Sequence, residues 1–262
     1  MRELHERKIL PVLISYTVPY PNMGVDSDGW DWIKIALRSF HDHFDSQKVL
    51  VIDNDKDDQA YEPKRDWLYS YPGGIVVRNP ITRDPRFWQD HDTVLNNHHG
   101  LGIDLAVSYC QRHRYDYMLY FEPDCLIEGM EWVKAMWRCM ERGAWMSGFN
   151  RCNHSTRVIH VCPSLWKVNE PPCEISFMRQ PIEADRQHPR FAKMTRFRGF
   201  TKSWDKWDIG QRNWWIAALE GKACRARPRR RDFTHVWGGS GHSKRQSVRE
   251  HRKWRKIKKY LD

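Results

Sequence analysis

The sequence predicts an α/β protein with a mainly parallel, Rossmann-like central sheet flanked by helices, followed by a basic C-terminal helical segment. Short apolar runs of strand length alternate with segments whose apolar residues recur at helical spacing. Acidic or polar residues follow several of these runs directly. Because ligands of such sheets bind beyond the carboxyl ends of the strands, those residues mark the edge where we expect a functional site.

The first half of the chain shows the clearer alternation. The predicted strands are Ile9–Tyr16, Val49–Ile52, Gly74–Val77 and Tyr117–Phe121. The predicted helices cover the apolar repeats Trp32–Phe40, Leu101–Tyr109 and Met130–Met140. Residues 80–97 are mostly polar, which predicts a loop.

The second half of the chain is less regular. The expected elements are strands at Ala144–Phe149 and Val158–Val168, a helix at Asp208–Leu219 and a short edge at Cys224–Arg227. Residues 178–204 show no period, and a loop of that length is usually functional. We therefore predict one domain over residues 1–241 and a basic helix or tail over residues 242–262.

The positive charge of the chain is concentrated near its C-terminus. The formal net charge is +11, yet residues 222–262 hold 15 Lys and Arg against 3 Asp and Glu. The preceding 221 residues hold 29 basic and 30 acidic residues and are nearly neutral. Such a segment suits an anionic membrane surface, a nucleic acid or a phosphate-bearing ligand.

The seven cysteines form no Cys-x-x-Cys pair and no Cys/His spacing typical of zinc. We expect an odd, scattered set of this kind to be reduced thiols in a cytoplasmic protein. The first apolar run is too short for a membrane span, so membrane contact would be peripheral at most.

The strongest local motif is a carboxylate pair that follows the fourth predicted strand. Glu122 and Asp124 are spaced i and i+2 around Pro123, and an apolar pair comes next. Two such carboxylates on one turn can face a single hard cation such as Mg²⁺ or Mn²⁺ and leave positions open for phosphate oxygens. Taken alone, the motif is equally compatible with a solvated turn.

The order of these pieces resembles the GT-A fold glycosyltransferases, especially the glycosyltransferase family 2-like group, over about residues 8–150 and more loosely 204–241. The Glu122-Pro123-Asp124 turn resembles the Asp-x-Asp motif of that group, with Glu in place of the first Asp. Residues 49–55 are similar to its second strand, whose terminal acid contacts the nucleotide base. Residues 97–106 resemble the helix that precedes its metal motif.

The resemblance also implies roles further along the chain. Residues 204–211 are similar to the start of the acceptor-side helix, which implies Asp208 as catalytic base and Asp205 as the substitute candidate. An aspartate at that position could also cap the helix. His235 matches a late histidine that completes the metal or diphosphate site in many GT-A enzymes, and imidazole is a suitable third ligand beside carboxylates.

The resemblance implies a metal-dependent hexosyl- or deoxyhexosyltransferase that inverts its donor sugar by direct displacement. Residues 1–125 would form the nucleotide-binding half and residues 126–241 the acceptor-binding half. The implied metal ligands are Asp124, Glu122 and His235, and the implied nucleotide contacts come from Ser15, Tyr16, Asp53 and Asn79 together with Glu122 and Asp124. The cofactor would be Mn²⁺ or Mg²⁺, and the donor a UDP-sugar or else a GDP-sugar. The acceptor would be a glycan or a lipid-linked sugar, with the basic C-terminus touching an anionic membrane.

Two other functions can be considered from the sequence. The basic tail with its interleaved Trp254 and Tyr260 would suit a nucleic-acid-binding α/β protein. The nearly neutral remainder of the chain argues against that function. A sugar-phosphate nucleotidyltransferase would require a glycine-rich, basic loop after the first strand, and residues 15–24 do not supply one.

Overall fold

A computed structural model of the chain describes residues 4, 6–15, 29–44, 47–55, 62–80, 91–149, 162–169, 175–177, 182–190, 210–235, 248–249 and 251–261. Its centre is a seven-stranded sheet in the order β3-β2-β1-β4-β7-β6-β8. The strands are β1 Ile9–Ser15, β2 Val49–Asp53, β3 Gly74–Arg78, β4 Tyr117–Tyr120, β6 Met146–Gly148, β7 Ser164–Lys167 and β8 Ala223–Arg225.

All neighbouring pairs in this sheet are parallel except those of β7, which runs antiparallel to β4 and to β6. Every residue of β1 is buried, as expected for a central strand covered on both faces. The predicted fold class, a GT-A-like (Rossmann-like) sheet that is mainly parallel and flanked by helices, is confirmed.

A second, two-stranded sheet lies beyond the end of β4. It pairs β5 (Cys125–Ile127) with β9 (Phe233–His235) in antiparallel fashion, and Cys125 stands opposite His235. Side chains opposite each other in an antiparallel pair share one face. This pairing therefore brings residues from distant parts of the sequence next to the carboxylate motif.

The helices are α1 Gly29–His41, α2 Glu62–Ser70, α3 His91–Arg112, α4 Glu131–Glu141, α5 Glu183–Gln187, α6 Gln211–Leu219 and α7 Trp254–Ile257, and a 3₁₀ turn follows at Lys258–Tyr260. The helix α1 contains a strong apolar face, which packs into the core through Ile33, Leu37 and Phe40. In the part of the chain that the structure describes, no helix is long and apolar enough to cross a membrane.

Four expectations about helices were wrong. The loop expected over residues 178–204 contains the short helix α5. The stretch predicted as a polar loop contains the first turns of α3, which begins at His91. Its Asn and His residues are weak helix formers, so tertiary context overrides local propensity. The helix predicted from Asp208 begins at Gln211, and Gly210 with φ 71° occupies its N-cap position. The helix α2 was missed because Leu68 is its only fully buried apolar residue among those described.

The C-terminal segment is docked on the domain. Val248, Ile257 and Tyr260 form an apolar cluster with Trp32 and Ile35 of α1 and Leu126 of β5. Arg38 Nη1 donates a hydrogen bond to the backbone oxygen of Tyr260 at 2.6 Å. The outward face of the segment is basic, with exposed side chains at Arg249, Arg252, Arg255, Lys256, Lys258 and Lys259.

One pair of cysteines is covalently linked. Cys139 of α4 and Cys224 of β8 form a disulfide that spans 85 residues of sequence. The expectation that all seven cysteines are reduced is therefore wrong for this pair. The other described cysteines, Cys110, Cys125 and Cys162, are buried and form no disulfide.

Candidate metal and nucleotide site

The predicted carboxylate motif lies directly after β4, at the carboxyl edge of the central sheet. Phe121 still donates its backbone N–H to Val12, at 3.1 Å, and is fully buried. Pro123 has no N–H to continue a ladder, so the chain turns there. It resumes as β5 at Cys125, now paired with β9. The turn thus joins the large sheet to the small one.

His235 meets both carboxylates of the motif. Its Nε2 lies 2.6 Å from Oε2 of Glu122 and 3.1 Å from Oδ1 of Asp124. The side chains of His235 and Asp124 are 3% and 2% exposed, and that of Glu122 is 16% exposed. The ligand atoms of the three residues lie within 4.8 Å of one another. The sequence predicted these three residues as one site, and the structure brings them together.

This donor set fits a divalent cation. Carboxylate oxygens are the preferred ligands of Mg²⁺ and Mn²⁺, and a neutral imidazole is a common additional ligand. Two carboxylates held this close in a buried place need a compensating positive charge. In the structure, the protonated imidazole of His235 can supply that charge, and a bound cation could replace it.

The electrostatics of His235 follow from its neighbours. Burial alone disfavours the imidazolium ion. The carboxylates of Glu122 and Asp124, which contact the ring, favour the imidazolium ion and outweigh burial, so the pKa of His235 is raised well above its ordinary value. The metal-free site therefore holds a proton on His235 at neutral pH, and a cation must displace that proton to use the imidazole.

Two cysteine thiols extend the cluster on its inner side. Sγ of Cys125 lies 3.6 Å from Sγ of Cys162, and the backbone N–H of Glu122 donates to Cys162 Sγ at 3.2 Å. Cys125, Cys162 and His235 also hold their ligand atoms within 4.8 Å of one another. Burial raises the pKa of Cys125 to about 11 and that of Cys162 well above its usual range.

These two thiols were not predicted as site residues. Cys125 directly follows the carboxylate motif, and that adjacency was an available signal. Cys162 offered none, because it reaches the site only through the antiparallel pairing of β7 with β4.

Asp232 fixes the start of the strand that carries His235. Its carboxylate accepts hydrogen bonds from the backbone N–H groups of Glu131 at 2.5 Å and Trp132 at 3.2 Å. These are N–H groups of the first turn of α4, which have no partner within the helix. A Cβ atom at Gly129 would lie 2.7 Å from Oδ2 of Asp232, so the close approach requires glycine.

The C-terminal segment supports the same small sheet. Lys253 bonds to the carboxylate of Glu128 and donates to Oγ1 of Thr234 at 2.8 Å. Lys256 also donates to Glu128, at 2.9 Å. Thr234 directly precedes His235, so the basic segment helps to hold β9 in place.

Three predicted nucleotide contacts lie at the carboxyl ends of the first three strands. Ser15, Asp53 and Asn79 are all buried. The backbone N–H of Asn54 donates to Ser15 O at 3.0 Å, and that of Asn79 donates to Asp53 O at 2.9 Å. Nδ2 of Asn79 donates to Oδ1 of Asn54 at 2.8 Å. The structure thus places these residues side by side at the ends of β1, β2 and β3, and β1 is the strand next to β4.

Asp53 organises a buried polar network. Its Oδ2 accepts hydrogen bonds from Arg78 Nη1 at 2.8 Å and from the hydroxyl of Tyr69 at 3.0 Å. Arg65 Nε lies 3.6 Å from the same oxygen. Burial and the nearby charge of Asp53 raise the pKa of Tyr69 to about 12. This network was not predicted from the sequence, and the contact of Asp53 with a nucleotide base stays a prediction.

The helix α3 closes this edge of the sheet. A Cβ atom at Gly102 would lie 2.8 Å from Nδ2 of Asn54, so glycine allows the helix to approach β2. Nε2 of His99 is hydrogen-bonded to the hydroxyl of Tyr120, just before the carboxylate turn. Oδ1 of Asp104 accepts the backbone N–H of Phe177 at 2.5 Å. His99 and Asp104 were not predicted as parts of the site.

Three predicted site residues lie outside the described part of the chain. They are Tyr16 and the two candidate bases Asp205 and Asp208. The nearest described residue to the two aspartates is Gly210, whose N–H donates to Phe177 O at 3.1 Å. The start of α6 is thereby linked to α3.

No family model matches the chain, and no curated protein matches it. Among solved structures, it is similar to the galactosyltransferase LgtC in complex with donor and acceptor sugar analogs, with a TM-score of 0.42 and 10% identity over 83% of this chain and 73% of that chain. An active-site mutant of LgtC matches with a TM-score of 0.42 and 9% identity over 83% of this chain and 72% of that chain. Likeness at this level carries no conclusion about activity.

Proposed function

We propose that the protein is a glycosyltransferase that moves a sugar from a nucleotide-diphosphate-sugar to an acceptor hydroxyl with the help of a divalent cation. The observation that carries this proposal is the convergence of Glu122, Asp124 and His235 at the carboxyl end of β4. The site lies on the same sheet edge as Ser15, Asp53 and Asn79. A metal site beside a nucleotide site is the arrangement that a diphosphate leaving group requires.

The metal would be held by Asp124, Glu122 and His235. When bound, Mn²⁺ or Mg²⁺ would supply positive charge that neutralises the diphosphate. Asp124 is the more deeply buried carboxylate and Glu122 the more exposed one, so Glu122 is the one better placed to contact a ligand as well as a cation. The other contacts with the donor would come from side chains of the protein.

The nucleoside part of the donor would lie against the ends of β1, β2 and β3. The hydroxyl of Ser15 is buried and has no hydrogen-bond partner within the described residues. Asn79 and Asp53 are already held by neighbouring side chains, which would keep them oriented. A UDP-sugar is the favoured donor and a GDP-sugar the alternative.

The acceptor hydroxyl would be deprotonated by Asp208, with Asp205 as the substitute candidate. A base must reach the reacting hydroxyl directly, and both residues stand shortly before Gly210, which is linked to α3 through Phe177. The activated oxygen would attack the anomeric carbon as the diphosphate leaves, which inverts the configuration. A glycan or a lipid-linked sugar would be the acceptor.

A peripheral contact with an anionic membrane is part of the proposal. The docked C-terminal segment buries its apolar side and presents Arg249, Arg252, Arg255 and Lys258 outward. Each basic residue near an anionic surface contributes about 1 kcal/mol of attraction. This arrangement would bring the site close to a lipid-linked acceptor.

The proposal is tested by thermal unfolding with UDP, GDP, CDP and dTDP, each with and without Mn²⁺. A ligand that binds only the folded state raises the stability by about 2.7 kcal/mol at 100 times its Kd. We expect one nucleotide, UDP first, to stabilise the protein only when Mn²⁺ is present. The Asp124→Asn variant should lose that shift. If no nucleotide stabilises the wild-type protein with Mn²⁺ or Mg²⁺, the proposed function is wrong.

A further inference from the structure

We propose that Cys125, Cys162 and His235 form a second, thiol-containing metal site that takes Zn²⁺ and shares its imidazole with the carboxylate site. The claim that Zn²⁺ binds stands on the geometry of the thiols. The claim that Zn²⁺ opposes the metal of the sugar transfer rests on the proposed function as well.

The spacing of the two sulfur atoms fits a shared metal. Sγ of Cys125 and Sγ of Cys162 are 3.6 Å apart, and the two residues are not linked by a disulfide. Two thiolates on a tetrahedral zinc with Zn–S bonds of about 2.3 Å stand about 3.8 Å apart. The separation is thus close to that of a zinc ligand pair.

The third ligand is fixed by backbone pairing. His235 stands opposite Cys125 in the antiparallel β5–β9 pair, so both side chains project to one face. All three ligand atoms lie within 4.8 Å of one another. Glu122 or Asp124, which contact His235 at 2.6 and 3.1 Å, can supply a carboxylate oxygen as the fourth ligand.

The surroundings of the thiols also suit a metal–thiolate site. Cys125 and Cys162 are both fully buried. The backbone N–H of Glu122 points at Cys162 Sγ at 3.2 Å, and such hydrogen bonds to sulfur stabilise a coordinated thiolate. Soft sulfur ligands select Zn²⁺ over Mg²⁺ and Mn²⁺, which prefer oxygen.

The shared imidazole makes the two sites mutually exclusive. A neutral imidazole has one lone pair available, because its other nitrogen carries a proton. His235 can therefore serve either the carboxylate site or the thiol site, and not both at once. Zn²⁺ bound with the thiols would remove one ligand from a cation held by Glu122 and Asp124.

The zinc site is tested first with Co²⁺, which takes the place of Zn²⁺ and absorbs strongly in the near ultraviolet when thiolates bind it. We expect this sulfur-to-cobalt band in the wild-type protein and its loss when Zn²⁺ is added. The band should disappear in Cys125→Ser and in Cys162→Ser, with Zn²⁺ affinity at least about 10-fold lower by chelator competition. It should persist in Cys110→Ser and in Cys152→Ser/Cys173→Ser.

A second measurement needs no variant. X-ray absorption at the zinc edge of the loaded wild-type protein, with the Cys139–Cys224 disulfide intact, should show two sulfur neighbours at about 2.3 Å. A zinc environment of nitrogen and oxygen alone would overturn the proposal. So would folded Cys125→Ser and Cys162→Ser proteins that bind Zn²⁺ as tightly as the wild type.

Competition between the metals separates this proposal from the proposed function. Added Zn²⁺ should release bound Mn²⁺, seen as the return of the free-ion signal in electron paramagnetic resonance. If the cobalt band appears and Mn²⁺ never binds, the thiol site stands and the glycosyltransferase metal site fails. If Mn²⁺ binds and no cobalt–sulfur band forms, the thiol site fails and the proposed function is untouched.

Discussion

The Nε2 atom of His235 lies 2.6 Å from Oε2 of Glu122, although the two residues belong to opposite halves of the chain. Two features of the fold create this contact. The chain leaves the central sheet after β4 at a turn that contains Pro123, and β9, which lies about 100 residues later in the sequence, pairs with β5. The candidate metal site therefore depends on the small sheet, which consists of β5 and β9 in the part of the chain that the structure describes.

Asp124 is expected to be the indispensable ligand of this site. The Asp124→Asn change keeps the size of the side chain and removes its charge. Loss of a residue that only hydrogen-bonds to a metal ligand lowers metal affinity roughly 10- to 100-fold, so Asp124→Asn should lower Mn²⁺ affinity at least as much. Nucleotide-sugar turnover should fall with it. Isothermal titration with Mn²⁺ measures the first effect, and donor hydrolysis the second.

The matched control for that change is Asp66→Asn, which removes the same charge from an exposed position on α2. It should leave Mn²⁺ affinity within error of the wild type. Wild-type affinity in the Asp124→Asn protein would mean that the metal is bound elsewhere.

Metal binding should become tighter as the pH rises. The pKa of His235 is raised well above its ordinary value, so a proton occupies the imidazole of the metal-free protein through neutral pH. A cation must displace that proton, which costs less as the pH approaches the pKa of the folded state. Titration calorimetry in two buffers of different ionisation enthalpy should detect the released proton, and His235→Gln should abolish both the proton release and the slope.

The raised pKa of His235 has the opposite consequence for the folding stability of the metal-free protein, which should fall as the pH rises. Because the folded-state pKa of His235 exceeds the unfolded value of about 6.5, the stabilising contribution is complete below that value. It is lost as the pH rises through the folded-state pKa. The metal-free wild type should therefore lose stability at alkaline pH relative to His235→Gln, as measured by urea unfolding. A constant difference between the two proteins at all pH values would contradict the assigned pKa shift.

The central strands and the carboxylate motif could be predicted because their signals are local. Four apolar runs predicted β1 to β4, and the acidic residues at their ends mark the sheet edge that holds the candidate site. The pairing of His235 with the motif was predicted through resemblance, since nothing in residues 233–235 alone indicates which strand they pair with.

The parts that could not be predicted depend on contacts between distant segments. Cys162 reaches the cluster through β7, and Asp232 serves the first turn of α4 across about a hundred residues of sequence. The α2 helix has a weak apolar face, so its sequence shows no apolar repeat at helical spacing from which the helix could be predicted. The C-terminal segment was predicted as a basic helix or tail, and its packing against α1 and β5 could not be predicted because nothing local identifies the partners of Ile257 and Tyr260.

The Cys139–Cys224 disulfide should contribute several kcal/mol to stability. It closes a loop of 85 residues between α4 and β8. In the chain-entropy account, a loop of that size is worth about 4 to 5 kcal/mol. The Cys139→Ser/Cys224→Ser protein should unfold at a lower temperature than the oxidised wild type, by differential scanning calorimetry.

A reducing agent provides the control for this prediction. It should lower the melting temperature of the wild type toward that of the double variant and leave the double variant unchanged. If the reducing agent leaves the wild type unchanged and free-thiol titration finds Cys139 and Cys224 reactive in the unfolded protein, the two residues are not linked.

Asp232 is expected to act on the metal site through its position. The Asp232→Ala change removes the acceptor for two N–H groups of α4 and should cost about 0.5–2 kcal/mol of stability. It should also weaken Mn²⁺ binding, because β9 loses its anchor three residues before His235. Glu131→Ala, in the same helical turn, removes a partly exposed ion pair with Lys134 and leaves Asp232 in place, so it should change the melting temperature little and leave Mn²⁺ affinity as it is. Equal effects of the two changes on Mn²⁺ affinity would contradict the positioning role.

The docked C-terminal segment is expected to be part of the folded domain. Ile257 is fully buried in the cluster that contains Trp32, Ile35 and Leu126. Its replacement by alanine should cost about 2–5 kcal/mol, the usual range for a large-to-small change in a core. The neighbouring Lys258→Ala change is exposed and should stay within about 0.5 kcal/mol of the wild type. Since Leu126 belongs to β5, Ile257→Ala should lower Mn²⁺ affinity as well. Equal melting temperatures of the Ile257→Ala and Lys258→Ala proteins would show that the C-terminal segment does not pack against this cluster.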